Sequence, residues 1–227
     1  MVFDIWYFIF LMPGILISLW AQSKVKGNFA KYSQVRNAAG LTGAQTSRRI
    51  LDDEGLNSIP VEQVPGALTD HYDPRNKVLR LSQPVYGVDS VAAMAVAAHE
   101  AGHALQQKNN YAPLKFRSAI VPVANIGSRF GFILIFAGII FGITGLSWAG
   151  VALFALSTVF TLVTLPVEFN ASKRAKEELH HLGLATGSDA EAVDKMLDAA
   201  AWTYVAAFLT SLLSLLYWVS VMRRSSR

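Results

Sequence analysis

Residues 130–167 are 38 consecutive positions without one Asp, Glu, Lys or Arg. A membrane-crossing helix needs about 20 apolar residues, so this run predicts two such helices joined tightly, with the joint expected at Thr144-Gly145-Leu146-Ser147. The competing reading is a buried soluble hairpin, and the length of the uncharged run speaks against it. Composition agrees with a membrane protein carrying a modest aqueous part: 52% hydrophobic, 16% charged and a mean hydropathy of +0.34.

Two further stretches are apolar enough to cross a bilayer. Residues 5–22 are broken only by Pro13, Gly14 and Ser18, and the leader Met1-Val2-Phe3-Asp4 has no basic residue and no cleavage signal follows. An uncleaved anchor with its N-terminus outside is expected. Residues 199–222 form the last span, with Trp202, Tyr217 and Trp218 placed to mark the two interfaces. Pro113 and Pro122 interrupt the approach to the hairpin, so a separate interfacial segment is expected there. The chain is therefore expected to divide into an anchor (1–22), a cytoplasmic module (23–118), a transmembrane hairpin (119–167), cytoplasmic helices (168–198) and a final transmembrane helix (199–227). The fold class is mainly α, a multi-pass membrane protein with about four transmembrane helices and a small α+β module.

That module begins with Thr42-Gly43-Ala44-Gln45, a capping box opening a helix that Gly55 stops. Residues 59–64, broken by Pro60, read as a short edge strand. Residues 68–75 read as a polar turn with Asp73-Pro74 as its breaker, and residues 77–82 as a strand with Leu79 and Leu81 on one face. The next helix, capped by Asp89 or Ser90, carries His99-Glu100-Ala101-Gly102-His103. Residues four apart share a helix face, so both imidazoles can reach one tetrahedral Zn²⁺. Glu100 projects beside the metal, where it can take a proton from water. The chain has only five histidines, which makes this spacing around a Glu improbable by chance. Gly102 costs about 1 kcal/mol in a helix relative to Ala, a hint that something packs closely against it.

A catalytic zinc site needs three protein ligands and an open position. With no cysteine in the chain, the third must be a His or a carboxylate. A hairpin that crosses twice returns to its starting side, and Glu168 is the first charged residue met on return. His180 and His181 compete for the role. They lie about 18 Å further along if residues 168–181 are one helix, and cations before Gly183 also suit a helix C-terminus, so Glu168 is preferred. Ser188-Asp189-Ala190-Glu191 then reads as a capping box for the last helix. Lys24, Lys26, Lys115, Arg117, Arg129, Lys173, Arg174 and Lys176 would share the side of the site, which makes that side cytoplasmic by the positive-inside rule. The basic tail, residues 223–227, disagrees if the last helix crosses fully. A net charge of +4 distributed in this way signals topology rather than nucleic-acid binding.

With His99-Glu100-Ala101-Gly102-His103, Asp70-His71-Tyr72-Asp73-Pro74 and Leu165-Pro166-Val167-Glu168-Phe169-Asn170-Ala171-Ser172 together, the chain resembles the bacterial neutral zinc metallopeptidases of the YugP type, from its first span to its last. The resemblance implies zinc ligation by His99, His103 and Glu168, with Glu100 as the catalytic base. More distantly the chain is similar to HtpX-type membrane proteases, where a hydrophobic hairpin also separates the zinc helix from a Glu ligand (a gluzincin-like set). In those the Glu is followed four residues later by an Asp. Here that position is Ser172, so the carboxylate behind the ligand is absent or supplied elsewhere.

The reaction expected is zinc-assisted hydrolysis of peptide bonds in a peptide or protein substrate, at the cytoplasmic surface of the cell membrane. His71 and Tyr72 are the candidates for stabilising the oxyanion, although their turn also reads as purely structural. The strand at residues 77–82 could serve as an edge for an extended substrate. Cleavage within the bilayer fits poorly, because only about eight apolar residues precede His99 and a polar run follows at Gln106. A non-enzymatic adaptor with structural zinc would require a fourth protein ligand such as His71 or His180. A transporter is disfavoured because the expected spans carry no ionisable residue at their centres.

Overall fold

Helices α1 (Ile5–Tyr32), α2 (Gly43–Asp53), α3 (Gln83–Tyr86), α4 (Val91–Lys108), α5 (Ala112–Ile140), α6 (Thr144–His181) and α7 (Ser188–Ser225) and strands β1 (Val61–Val64), β2 (His71–Asp73) and β3 (Val78–Ser82) make up the computed structural model. It describes residues 5–225. The leader residues 1–4 and the last two residues of the basic tail lie outside the described residues. The chain is mainly α-helical, and α1, α5, α6 and α7 are each long and apolar enough to cross a membrane. The described residues form two compact units, one of residues 5–21, Lys115–Pro166 and residues 203–225, the other of Gln22–Leu114 and Val167–Trp202.

The second unit is built around α4. Its run of alanines is buried nearly all round, and such small side chains let neighbouring elements approach from several sides. Ser90 caps the helix by accepting from the Ala93 N–H at 3.1 Å. Helix α2 opens on the expected capping box, with Thr42 and Gln45 exchanging side-chain and backbone bonds, and ties to α4 where the Ser47 hydroxyl donates to the Ala97 carbonyl at 3.1 Å. Ile50, Leu51, Leu79, Leu81, Met94 and Leu105, all buried, fill the space between.

The sheet has the order β1-β3-β2, with β1 parallel to β3 and β2 antiparallel to it. Two expectations are corrected here. Residues 71–73 form a strand rather than part of a turn, because Asp73-Pro74 closes a hairpin: the Asp73 carboxylate accepts the Arg75 and Asn76 N–H groups at 2.9 and 3.2 Å. Strand β3 is central, flanked on both sides, so it offers no free edge to a substrate. Its alternate residues Leu79 and Leu81 are buried as expected.

In the first unit, α5 and α6 meet at residues 141–143, just before the expected joint. Gly142 adopts φ +68°, and the Gly142 and Ile143 N–H groups return to Ile139 and Gly138 carbonyls, a glycine-dependent helix stop. Helix α5 runs unbroken from Ala112. Pro113 sits in its first turn, where no N–H bond is lost, and Pro122 is accommodated within the helix, so no separate interfacial segment exists. Tyr217 and Trp218 do not project outward from the helices. Both are buried, packed with Tyr7, Phe10, Phe132 and Phe136, because the four apolar helices pack on one another through aromatic side chains. Trp202 is exposed. Helix α7 begins at Ser188, which is its first residue rather than the cap before it, while the buried Asp189 carboxylate accepts the Ala38 N–H at 2.7 Å.

A further correction concerns Arg129. It lies inside α5, eleven residues before the helix ends at Ile140. Eleven residues rise only about 16 Å, too little to cross a bilayer, so the apolar span of α5 extends N-terminally past Arg129 and contains it. The spans are therefore not free of central charge.

Candidate metal centre

His99 and His103 stand on one face of α4 with ring centroids 4.9 Å apart. Glu168 reaches them from α6, which continues without a break from its uncharged portion into the polar segment through His181. The two helices can approach this closely because position 102 is glycine. A Cβ there would stand 3.1 Å from the Ala171 carbonyl carbon and closer still to its oxygen. The helix-disfavouring residue inside the motif is thus what admits the α6 backbone.

Glu168 Oε2 lies 3.3 Å from His99 Nε2 and 3.4 Å from His103 Nε2, and all three groups are buried. These are long for charge-assisted hydrogen bonds, which run about 2.7–2.9 Å. They match the edge of a tetrahedron whose centre lies about 2.0–2.1 Å from each corner, roughly 3.3 Å, the geometry of zinc held by nitrogen and oxygen. Among the described residues this is the one group of three or more His, Cys, Asp or Glu side chains able to hold a metal ion.

The proton positions support the same fit. His103 Nδ1 contacts Gln106 Oε1 at 3.0 Å, and the Gln106 amide is oriented by its Nε2, which donates to the Val167 carbonyl at 2.6 Å and to Asn170 Oδ1 at 3.1 Å. A carbonyl oxygen only accepts, so His103 carries its proton on Nδ1. In its neutral form the ring turns an Nε2 lone pair toward the lone pairs of Glu168, an arrangement that either a proton or a metal cation satisfies. On the other ring, His99 Nδ1 meets the Ser172 hydroxyl at 3.1 Å. Burial alone would raise the Glu168 carboxyl, but the two imidazoles outweigh it and hold it below the usual carboxylate range. At His103, too, burial opposes charge, and the contact with Glu168 outweighs it and raises the pKa. The pocket draws positive charge to a single point.

Glu100, also buried, faces β2. Its Oε2 accepts the backbone N–H of Tyr72 at 2.9 Å. The Leu79 N–H points the other way, to the Pro60 carbonyl at 3.0 Å, so the Tyr72–Leu79 pair leaves the Tyr72 N–H at the open edge of the sheet. The Tyr72 phenol donates to Gln107 Oε1 at 2.6 Å, and Gln107 Nε2 donates to the Pro74 carbonyl at 3.0 Å, binding the hairpin to α4. Burial, then the charge of Asp73, pushes the phenol up to about 12, so it stays a donor at any working pH. His71 is exposed, its Nδ1 on the Thr69 carbonyl at 2.8 Å. His180 and His181 are exposed at the far end of α6, with His181 beside Asp53 at 3.8 Å, and neither joins the cluster.

Three contributors were not recognised from the sequence. Gln106 appeared only as the start of a polar run, although a Gln three residues beyond a helical His is placed to bond its ring. Ser172 was noted only as the place where HtpX-type proteases carry an Asp, and its contact with His99 depends on how two helices cross; the Tyr72 backbone N–H left no residue-type signal, because it depends on strand register.

A family profile described as "Putative neutral zinc metallopeptidase" matches residues 7–223. The protein described as "Putative membrane protease YugP" of Bacillus subtilis (strain 168) is 50% identical over 215 residues, covering 94% of this chain and 96% of that protein. No solved structure matches the chain.

Proposed function

The chain belongs to this family of neutral zinc metallopeptidases, and from that premise we propose that it is a membrane-embedded endopeptidase whose site opens to the cytoplasm, with Glu100 as general base. The observation that carries the reading is the convergence of His99 Nε2, His103 Nε2 and one Glu168 oxygen at tetrahedral-edge spacing, with Glu100 held beside them. A structural-zinc adaptor would close the site with a fourth protein ligand, and the cluster among the described residues has three.

His99, His103 and Glu168 would hold the ion, and Ser172 and Gln106 would keep the rings turned toward it. Zinc bound there would supply Lewis acidity, enough to polarise a peptide carbonyl and to make water acidic near neutral pH. Tyr72 holds one Glu100 oxygen through its N–H, which leaves the other to take the proton of the attacking water and deliver it to the departing amine nitrogen. Tyr72 and His71, on β2 beside Glu100, are the candidates for the oxyanion. The Tyr72 phenol would have to leave Gln107 to serve, and His71, whose Nδ1 proton is directed at Thr69, would have to be protonated at Nε2. Cytoplasmic orientation is supported by Lys24, Lys26, Lys115, Arg117, Lys173, Arg174 and Lys176, which flank the apolar segments on the chain side of Glu168.

The test compares purified wild type with Glu100→Gln, both with zinc content measured, on casein as a generic unfolded substrate. Cleavage by wild type that a chelator abolishes and zinc restores, with Glu100→Gln retaining zinc but losing cleavage, is the expected result. Equal cleavage by both proteins refutes the assignment of Glu100.

A further inference from the structure

Arg129 is the charge that the fold leaves inside an apolar span. Residues 127 and 131 on either side of it pack against α6 at Leu153, Phe154 and Gly150, so Arg129 is level with residues 150–154. The uncharged portion of α6 runs from Thr144 through Val167, and those residues centre about 12 Å from its start and about 5 Å short of its midpoint. Counting along α5, twelve residues separate Arg129 from Arg117 and eleven from the helix end at Ile140, about 18 and 16 Å. Arg129 is exposed on the outside of the unit among Ile126, Phe130 and Ile133, and has no hydrogen bond or ion pair among the described residues. Asn125, one turn earlier on the same face, is exposed with it.

A guanidinium at the bilayer centre is costly unless something neutralises it, and such residues ordinarily face a partner. We propose that the Asn125–Arg129 face of α5 docks the membrane-spanning helix of another protein, one that carries an Asp or Glu near its midpoint. Charge complementarity selects that occupant over the alternatives. Lipid phosphates are too far: the half-thickness of the hydrocarbon core is about 15 Å, whereas an arginine side chain reaches roughly 7 Å. A second copy of this chain cannot serve, because none of its four apolar segments contains an Asp or Glu: residues 5–22, 118–140, 144–167 and 199–222 are free of both. A carboxylate on a partner helix can meet the planar guanidinium with two parallel hydrogen bonds, and Asn125 adds a donor and an acceptor one turn away. The site is independent of the metal centre and of the reaction assigned to it.

The experiment uses the full-length protein in phosphatidylcholine vesicles with a labelled, Leu-rich spanning peptide bearing one central Glu, and reads association by energy transfer. The Glu peptide is expected to associate about tenfold more tightly than the same peptide with Gln. Arg129→Leu is expected to erase that difference, and Arg129→Glu to transfer the preference to a peptide with a central Lys. Since Arg129→Leu removes a charge from an apolar surface, it should leave the fold intact, and the charge-reversal pair supplies a second reading if it does not. Equal association of the Glu and Gln peptides with wild type overturns the proposal. So does retention of the preference in Arg129→Leu, or association that follows added anionic lipid rather than the peptide carboxylate.

Discussion

Replacing Gly102 by Ala tests how closely the ligand-bearing helices must approach. Intrinsic propensity favours the substitution: Ala is better than Gly in a helix interior by about 1 kcal/mol. Packing opposes it. The new Cβ would stand 3.1 Å from the Ala171 carbonyl carbon, 3.3 Å from its Cα and nearer still to its oxygen. These are backbone atoms that cannot rotate aside, so α4 and α6 must separate by on the order of 1 Å to restore normal contact. Overpacking of this kind costs about 1–3 kcal/mol, so the metal-free protein should lose up to about 2 kcal/mol net. The larger effect falls on the metal. Glu168 and Ser172 flank Ala171 and move with it, whereas metal–ligand distances tolerate only about 0.2 Å. Zinc affinity should fall by at least about a hundredfold, more than loss of an outer contact alone. Competition with a graded series of chelators measures the affinity, and urea unfolding of the metal-free protein measures the stability. Wild-type zinc affinity in Gly102→Ala, or a gain in stability of the size that propensity predicts, would refute the close approach of α6 at this point.

Three other outcomes follow from the same geometry. Ser172→Ala removes the hydroxyl at His99 Nδ1 and should weaken zinc binding about ten- to a hundredfold, read by the same competition. Gln106→Leu strips His103 of the carbonyl that holds its proton on Nδ1 and leaves the Val167 carbonyl without that donor. Zinc affinity and thermal stability should both drop, with zinc affinity again falling about ten- to a hundredfold. Asp73 supplies a pH dependence: hydrogen bonds from the Asn76 side chain and backbone, first among its contacts, hold its carboxyl at about 2. A depressed carboxylate pKa stabilises the fold above the unfolded value near 4, and that contribution is lost as pH falls through about 2. Asp73→Ala should therefore unfold more easily than wild type at neutral pH, and the difference should vanish toward pH 2 in paired denaturation curves.

The local devices were legible because each depends on neighbours in the chain. The Thr42–Gln45 box, the Ser90 cap, the uncharged run and the i, i+4 imidazoles all appear where residue type and spacing place them. Expectations went astray where a residue's role depends on what meets it. The strand at residues 77–82 alternates as a half-buried edge would, yet becomes the central strand because residues 61–64 and 71–73 pair on either side. Tyr217 and Trp218 have the composition of an interfacial belt, but packing against α1 and α5 buries them. Arg129 was assigned to a membrane surface because the longest uncharged run begins after it. The glycine stop at residue 142 decides otherwise, since it sets how much of α5 remains to make the crossing.

By itself the sequence determined the class of this protein and the chemical kinds of its ligands: apolar runs of that length cannot be left in water, and a chain without cysteine can hold zinc only through imidazole and carboxylate. Only the tertiary structure decided which carboxylate faces the two rings, which neutral groups stand behind them, and that Glu100 leans on the edge of a strand. Those choices depend on the distance between helices far apart in the chain, and that distance is set by side-chain volume at the crossing, here the missing Cβ of Gly102 against Ala171.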